Sequence, residues 1–306
     1  MTSAYQAHAG VWPAMLTPLR ADGAIDLDRL ASHAKRLMAA GCSGVTLFGT
    51  TGEGPSFSSA ERMQALDALV AQGIPAKHII VHTSCTALPE TLALTRHATQ
   101  LDVHACLILP PFFFKGISDE GVLDYYTQIF EVCADLSLRV VLYHIPQVIG
   151  VSLSSAVMAS LLQRYSGRIL GLKDSSGQLE GSLAHAKAFM PPMQVWVGNE
   201  LDIPQMVSLG TKGAVSGVAN MLPQLVSNLV MQRDAATVAA NLARTQAFLS
   251  LVGGYTMIPA FKVIMAMIDD DLGWLRVRAP LQQLTDAQVA RLREQWTAFQ
   301  PSEPIG

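Results

Sequence analysis

The sequence predicts an α/β protein, a TIM (β/α)8 barrel followed by a C-terminal helical extension. Half of its 306 residues are hydrophobic and only 15% are charged, which indicates a large buried core and excludes an intrinsically disordered chain. Eight short apolar runs lack polar alternation, as strands buried on both faces of a parallel sheet do. Most of these runs follow one another at roughly 30 residues, the length of one βαβ unit, so we expect the strands to close a barrel.

The predicted strands occupy the first two thirds of the chain. In order, they are Val11 to Leu16, Val45 to Phe48, Ile79 to Val81, Cys106 to Leu109, Val140 to Leu142, Ile169 to Leu172, Val195 to Val197 and Ala214 to Val215. A doubly wound open sheet is the main alternative, and it usually carries a glycine-rich phosphate-binding turn after its first strand. Here Thr17, Pro18 and Leu19 stand at that point, which favours the barrel.

Amphipathic stretches between the strands predict the barrel helices. After the first strand, apolar residues recur at helical spacing from Leu27 to Met38, and Gly41 stands where a C-terminal cap belongs. After the second strand, Ser58 and Glu61 match a capping box. After the fourth, Ser118 is in position to cap a helix. Strands and helices therefore alternate as the barrel requires.

Strand signals stop near Asn220, and the sequence from there to its end predicts helices. Leu222 and Leu225 begin this apolar pattern, and Leu292 and Trp296 close it. We therefore predict a barrel catalytic domain over residues 1–235 and a helical extension over residues 236–306.

Composition also excludes several classes of partner. The formal net charge is −3 and lysines and arginines are not clustered, so we expect no nucleic-acid surface. No stretch reaches the ~18 uninterrupted apolar residues of a membrane helix, and the N-terminal residues lack the pattern of a secretory signal. The four cysteines show no CxxC spacing, which fits reduced thiols. These features predict a cytoplasmic protein that binds neither nucleic acid nor membrane.

One lysine stands apart from the other six as a possible nucleophile. In a barrel, catalytic residues lie at the C-terminal ends of the strands, and Lys173 ends the sixth apolar run. Apolar surroundings favour the neutral amine, which is the form that attacks a ketone to make a Schiff base. The alternative is a strand-end lysine that pairs with Asp174.

Two further groups follow neighbouring strand ends. Tyr143 ends the fifth strand, directly beside the sixth, so its phenol could reach Lys173 and move protons; the alternative is a rim tyrosine in water. After the second strand, the turn Gly49-Thr50-Thr51-Gly52 could converge backbone N–H groups and hydroxyls on a carboxylate or phosphate. The turn lacks the lysine of a nucleotide-binding P-loop, so we do not expect a nucleotide.

A metal site is the competing chemistry. His82, His144 and Glu53 all follow predicted strands and could be assembled as ligands. None of them has the paired spacing of a zinc motif, and isolated histidines are more often hydrogen-bonded rim residues. We therefore predict no metal and no cofactor.

Three motifs in this order resemble the N-acetylneuraminate lyase / dihydrodipicolinate synthase family. They are Gly49-Thr50-Thr51-Gly52-Glu53, Tyr143-His144-Ile145-Pro146 and Gly171-Leu172-Lys173-Asp174-Ser175. The resemblance covers nearly the whole chain. It implies a cofactor-free class I enzyme in which Lys173 forms a Schiff base with pyruvate and Tyr143 is the acid/base. It further implies that Thr50 and Thr51 bind the carboxylate, with Thr51 in the proton path, and that the protein is a homotetramer, a dimer of dimers.

Other positions bear on the substrate. Gly198 and Val215, at the ends of the seventh and eighth strands, and Phe113 after the fourth are predicted substrate contacts. Dihydrodipicolinate synthases usually carry an arginine where this chain has Val148, and a tyrosine where it has Phe113. We therefore predict an aldolase or lyase that joins or cleaves pyruvate and an aldehyde, with a 2-keto-3-deoxy acid as substrate. A dihydrodipicolinate synthase and a catalytically silent keto-acid-binding barrel are the alternatives.

Overall fold

The strands form one closed parallel barrel. A computed structural model describes residues 9–299, and within them eight strands make a single parallel sheet in the order β1-β8-β7-β6-β5-β4-β3-β2. The two edges meet just beyond β1 and β2, where Ala14 forms a parallel bridge with Thr46. There Met15 N donates to Thr46 O (2.9 Å) and Thr46 N donates to Pro13 O (2.8 Å). The predicted (β/α)8 barrel is confirmed.

Each predicted strand is present, with bounds that differ by a few residues. The strands are β1 Gly10–Val11, β2 Val45–Leu47, β3 Ile79–His82, β4 Ala105–Ile108, β5 Val140–His144, β6 Ile169–Asp174, β7 Gln194–Val197 and β8 Gly213–Ala214. The prediction of a continuous first strand from Val11 to Leu16 is wrong. Pro13 has no N–H to donate, so the hydrogen bonding of β1 to β2 is interrupted at that residue.

The helices also follow the predicted order. In the described residues they are α1 Leu27–Ala39, α2 Ser59–Ala71, α3 Leu88–Gln100, α4 Asp119–Val132, α5 Pro146–Ile149, α6 Ser155–Arg164, α7 Leu179–Phe189, α8 Ile203–Ser208, α9 Pro223–Met231, α10 Ala235–Val252, α11 Met257–Ile268 and α12 Asp286–Phe299. Ser58 and Glu61 form the predicted capping box at α2, and Ser118 caps α4. Gly41 follows the end of α1 with φ +87°, a conformation that favours glycine.

Two indole rings fill part of the interior of the barrel. Trp12 and Trp196 are fully buried in the interior apolar cluster. Gly171 on β6 makes room for one of them, because a Cβ there would lie 2.1 Å from Gln194 O and 2.5 Å from the Trp196 ring. The barrel interior is thus filled by packed side chains at the level of these two rings, as the core of a (β/α)8 barrel is.

The chain after β8 is helical, as predicted. Helix α9 packs against β1, and α10, α11 and α12 contact one another. Helix α10 begins at Ala235, next to the predicted boundary; the division into two domains stays a prediction. No single helix within the described residues has the length and apolar character to cross a membrane; α10 and α11 would need to act together, across a bend of 109°.

Candidate active site

Lys173 and Tyr143 face each other across two neighbouring strands. The register of β5 and β6 pairs Tyr143 directly with Lys173. Both residues are buried: Lys173 is 4% exposed and Tyr143 is 2% exposed. Lys173 Nζ lies 4.1 Å from the centroid of the Tyr143 ring. The sequence prediction that the phenol and the amine are neighbours at the C-terminal strand ends is therefore confirmed.

The glycine–threonine turn brings a hydroxyl to the same place. Thr50 Oγ1 lies 3.3 Å from Tyr143 Oη. Across the turn, Gly54 N donates to Gly49 O (3.1 Å), and the Thr17 hydroxyl donates to Gly52 O (2.7 Å). Within residues 9–299, the backbone N–H groups of Thr50 and Thr51 donate to no protein acceptor. Free N–H groups beside a hydroxyl are suited to bind a carboxylate.

Two non-glycine residues in the left-handed region shape this turn. Phe48, at the end of β2, has φ +58°, and Glu53 has φ +56°. Such conformations cost on the order of 1–3 kcal/mol each and persist where the surroundings enforce them, often at functional sites. Gly54 allows the chain to pass close to β2, because a Cβ there would lie 1.8 Å from Phe48 O.

Thr51 lies beside Gly217, which follows β8. Its side chain is buried, and its Oγ1 lies 3.3 Å from the position that a Cβ on Gly217 would take. The sequence interpretation gave Thr51 the place in the proton path. The hydroxyl that the structure brings to Tyr143 is that of Thr50, and the role of Thr51 stays a prediction.

Of the three predicted substrate contacts at Val215, Gly198 and Phe113, two are packed within the barrel and one is exposed. Val215 is buried in the interior cluster that includes Tyr143. Gly198 packs against β6, since a Cβ there would lie 1.9 Å from Ser175 Oγ. Phe113 is not brought to the site within this chain: it is 67% exposed and packs edge-on against Phe114.

Asp174 does not pair with Lys173. Successive residues of a strand face opposite sides, and the Asp174 carboxylate lies on the outer side. It accepts hydrogen bonds from Ser176 (2.7 Å to the hydroxyl) and lies 2.9 Å from His185 Nδ1. Burial alone would raise the pKa of Asp174, but the bonds from His185 and Ser176 lower it below its usual value. The alternative interpretation of Lys173 as the partner of Asp174 is therefore wrong.

The candidate metal ligands are held apart by other partners. Leu153 N donates to His144 Nδ1 (3.3 Å), whereas His82 Nδ1 lies 3.0 Å from Phe48 O. Glu53 forms an ion pair elsewhere, with Lys262. Among residues 9–299, no group of three or more His, Cys, Asp or Glu side chains is arranged to hold a metal ion.

Two features near the site were not anticipated from the sequence. His82 lies inside the barrel, with its ring edge-on to Tyr143 at 6.1 Å between centroids. Lys262 was interpreted only as part of the helical tail. It is buried and pairs with Glu53, which directly follows the Gly49–Gly52 turn. A lysine in the middle of the apolar sequence of α11 was the available signal. Burial lowers the pKa of Lys262, and Glu53 opposes that effect.

Taken together, an amine, a phenol, a hydroxyl and a turn with free N–H groups surround a largely buried chamber at the C-terminal strand ends. A buried amine beside a phenol can add to a ketone and exchange protons with the adduct. The turn can orient a ketone that also carries a carboxylate.

Comparison with known sequences identifies relatives over the same length. The sequence model of the dihydrodipicolinate synthetase family matches residues 7–298. An uncharacterized DapA-like lyase from Chloroflexus aurantiacus is 35% identical over 286 residues, which is 93% of this chain and 94% of that protein. A 2-dehydro-3-deoxy-D-gluconate/2-dehydro-3-deoxy-phosphogluconate aldolase from Thermoproteus tenax is 29% identical over 213 residues, 70% of this chain and 65% of that one.

Solved structures share the fold over almost the whole chain. Dihydrodipicolinate synthase from Agrobacterium tumefaciens superposes with a TM-score of 0.85 at 30% identity, covering 95% of this chain and 99% of that one. N-acetylneuraminate lyase from Proteus mirabilis gives a TM-score of 0.85 at 27% identity, with 95% and 98% covered.

Proposed function

The chain belongs to the dihydrodipicolinate synthetase family and is a lyase, and we propose that Lys173 is its Schiff-base nucleophile toward pyruvate. The observation that carries this proposal is the pairing of Tyr143 with Lys173, in which the amine lies 4.1 Å from the ring centroid. Lys173 is the lysine that ends a barrel strand, and its burial beside a phenol suits imine chemistry.

The proposed reaction assigns one task to each group. The Lys173 amine adds to the ketone carbon of pyruvate, and the ketone oxygen takes a proton to give a carbinolamine. Loss of water then leaves an imine on Lys173. Tyr143 gives and takes these protons, with the Thr50 hydroxyl 3.3 Å from the phenol as its relay. The free N–H groups of Thr50 and Thr51 bind the carboxylate.

The imine is the point at which a carbon–carbon bond forms or breaks. Loss of a methyl proton from the pyruvyl imine gives an enamine, whose carbon adds to an aldehyde, and water then releases the product from Lys173. The reverse sequence cleaves a 2-keto-3-deoxy acid into pyruvate and the aldehyde. We propose this substrate class because Val148, on helix α5 directly after β5, has no positive charge that would bind a second carboxylate. The related Thermoproteus aldolase carries a 2-dehydro-3-deoxy acid in its name.

One observation favours the dihydrodipicolinate synthase alternative. The Lys115 ammonium donates to Ile149 O (2.5 Å) and to Phe112 O, so it lies beside α5, close to Val148. A cation there could meet the carboxylate of an acidic aldehyde such as aspartate semialdehyde. The proposal of a 2-keto-3-deoxy acid and this alternative therefore differ in whether the aldehyde is anionic.

Product analysis separates the two functions. The purified enzyme would be offered a panel of 2-keto-3-deoxy sugar acids, with pyruvate release measured, and separately pyruvate with aspartate semialdehyde. We expect pyruvate release from one or more sugar acids, and none by the Lys173→Ala variant. Rapid condensation with aspartate semialdehyde, lost in Lys115→Gln, would establish the alternative. Pyruvate trapping without turnover of any substrate would favour a silent binding protein.

We also propose a homotetramer in the cytoplasm. The adjacent rings of Phe113 and Phe114 are 67% and 71% exposed, and exposed apolar surface of this kind commonly marks an interface. All four cysteines are free thiols, as expected in a reducing compartment. Light scattering on the purified protein measures the assembly: four chains support the proposal, and a monomer contradicts it.

A further inference from the structure

His82 lies inside the barrel, in the layer of side chains that holds Tyr143. Along β3, Ile79 and Val81 belong to the outer core, whereas Ile80 belongs to the interior cluster. His82 follows Val81 and faces inward by the alternation of the strand. It is 3% exposed, and its ring meets the Tyr143 ring at 88°. The imidazole is therefore part of the chamber around Lys173.

The hydrogen bond to Phe48 fixes which ring nitrogen carries the proton. A carbonyl oxygen only accepts, so His82 Nδ1, 3.0 Å from Phe48 O, is the donor. In the neutral ring, Nε2 then presents a lone pair. Burial, and next the charges of Arg62 and Lys173, hold the pKa of His82 well below its usual value. The ring is consequently a fixed, neutral hydrogen-bond acceptor.

Neither this acceptor nor the Lys173 amine, which lies against the same Tyr143 ring, has a hydrogen-bond partner in the part of the chain that the structure describes. Within residues 9–299, His82 Nε2 is buried without a hydrogen bond. Arg62 is engaged with the backbone, donating to Ser84 O and His82 O. The Lys173 amine makes no hydrogen bond within the described residues and lies over the Tyr143 ring instead. A buried acceptor without a hydrogen bond is destabilising, so a donor that reaches His82 Nε2 would be favoured.

We propose that His82 Nε2 accepts a hydrogen bond from Lys173 Nζ and so positions the amine for attack on the ketone. This inference rests on the proposed function of Lys173 as the nucleophile. Hydrogen bonds of a catalytic group are often long or poorly aligned without substrate and tighten when substrate is bound, and both groups lie against the Tyr143 ring. With one N–H directed to His82, the nitrogen lone pair is directed to the bound ketone. The ring takes no proton, because it is too weak a base.

Two substitutions at the same position separate positioning from simple packing. In His82→Asn, the amide N–H replaces Nδ1–H and keeps the bond to Phe48 O, but no acceptor remains at the Nε2 position. In His82→Gln, the longer side chain carries an amide oxygen to that position. The rate of borohydride-trappable pyruvate adduct formation on Lys173 is the readout, together with the melting temperature. His144→Asn is the control, because that imidazole faces away from the chamber.

We expect His82→Asn to form the adduct about 10–100 times more slowly than wild type, at an unchanged melting temperature. The fold-change in kcat should exceed the fold-change in KM for pyruvate. His82→Gln should recover much of the rate, and His144→Asn should react normally. Wild-type speed in His82→Asn, or equal loss in both His82 variants, would overturn the positioning role alone. A wild-type enzyme that gives no adduct would overturn the proposed function, and this inference with it.

Discussion

Lys262 on α11 forms a buried ion pair with Glu53, the residue that directly follows the Gly49–Gly52 turn. Both side chains are fully inaccessible to solvent, and Lys262 Nζ also donates to Arg276 O (2.7 Å). Because Glu53 directly follows the turn that carries Thr50, whose hydroxyl lies 3.3 Å from Tyr143 Oη, the helical extension is attached directly to the turn that we propose binds pyruvate. The extension is therefore part of the support of the site.

Removal of one partner of this pair should destabilise the protein strongly. Lys262→Met leaves the Glu53 carboxylate buried without its cation, and such losses amount to about 3–5 kcal/mol in the free energy of unfolding. In Lys262→Met/Glu53→Gln no uncompensated charge remains, so the loss should be smaller. Urea unfolding of the three proteins measures this. Equal stability of Lys262→Met and wild type would contradict a dry ion pair.

Acid should weaken a second contact of the helical extension, the ion pair of Arg278 with Glu61 on α2. Hydrogen bonding from Arg278 lowers the pKa of Glu61 from 4.5 to about 2. A carboxyl group with a lowered folded-state pKa stabilises the fold above its unfolded pKa, and that contribution is lost as the pH falls from 4.5 toward 2. Glu61→Gln should therefore have a lower melting temperature than wild type at pH 7. The difference between the two melting temperatures should shrink as the pH falls from 4.5 toward 2. A constant difference over the whole range would argue against the linkage.

Tyr143→Phe should disable the enzyme without unfolding it. The ring that packs over Lys173 is retained, but the oxygen 3.3 Å from Thr50 Oγ1 is removed. Loss of a general acid/base lowers rates by typically 10²–10⁴, and we expect kcat to fall by about that factor with a melting temperature close to wild type. Tyr165→Phe, whose ring stacks on Phe130 outside the barrel interior, is the matched control and should keep full activity.

Gly171→Ala should be destabilising although the change is a single methyl group. The added Cβ would lie 2.1 Å from Gln194 O and 2.5 Å from the Trp196 ring, neither of which can move without shifting a strand or a buried indole. Overpacking of this kind costs about 1–3 kcal/mol. Gly121→Ala in α4, where the nearest neighbour of the added Cβ would be Ser118 Oγ at 3.9 Å, should be neutral or stabilising. Thermal unfolding of both variants provides the comparison.

The barrel could be predicted because its signals are local. Each buried strand is a short apolar run, and caps such as Ser58 with Glu61 satisfy helix ends within four residues. The early end of β1 was equally local, since Pro13 cannot donate to the ladder. Lys173 and Tyr143 were also accessible to prediction, because in a barrel neighbouring strands in sequence are neighbours in space.

The rest of the site depends on long-range geometry. Whether Thr50 or Thr51 meets Tyr143 is decided by the backbone of the turn, including the left-handed Phe48, which no composition rule predicts. The orientation of His82 into the chamber depends on which face of β3 is the inner one. Lys262 reaches Glu53 from more than 200 positions away in the sequence. These contacts exist only in the assembled fold.

The identity of the nucleophile is the central claim, and borohydride trapping tests it most directly. The enzyme would be incubated with pyruvate, reduced with borohydride and digested, and the masses of the peptides would be measured by mass spectrometry. We predict one reduced pyruvyl adduct on Lys173, and none in Lys173→Ala. An adduct on a different lysine, or turnover that survives in Lys173→Ala, would contradict the account.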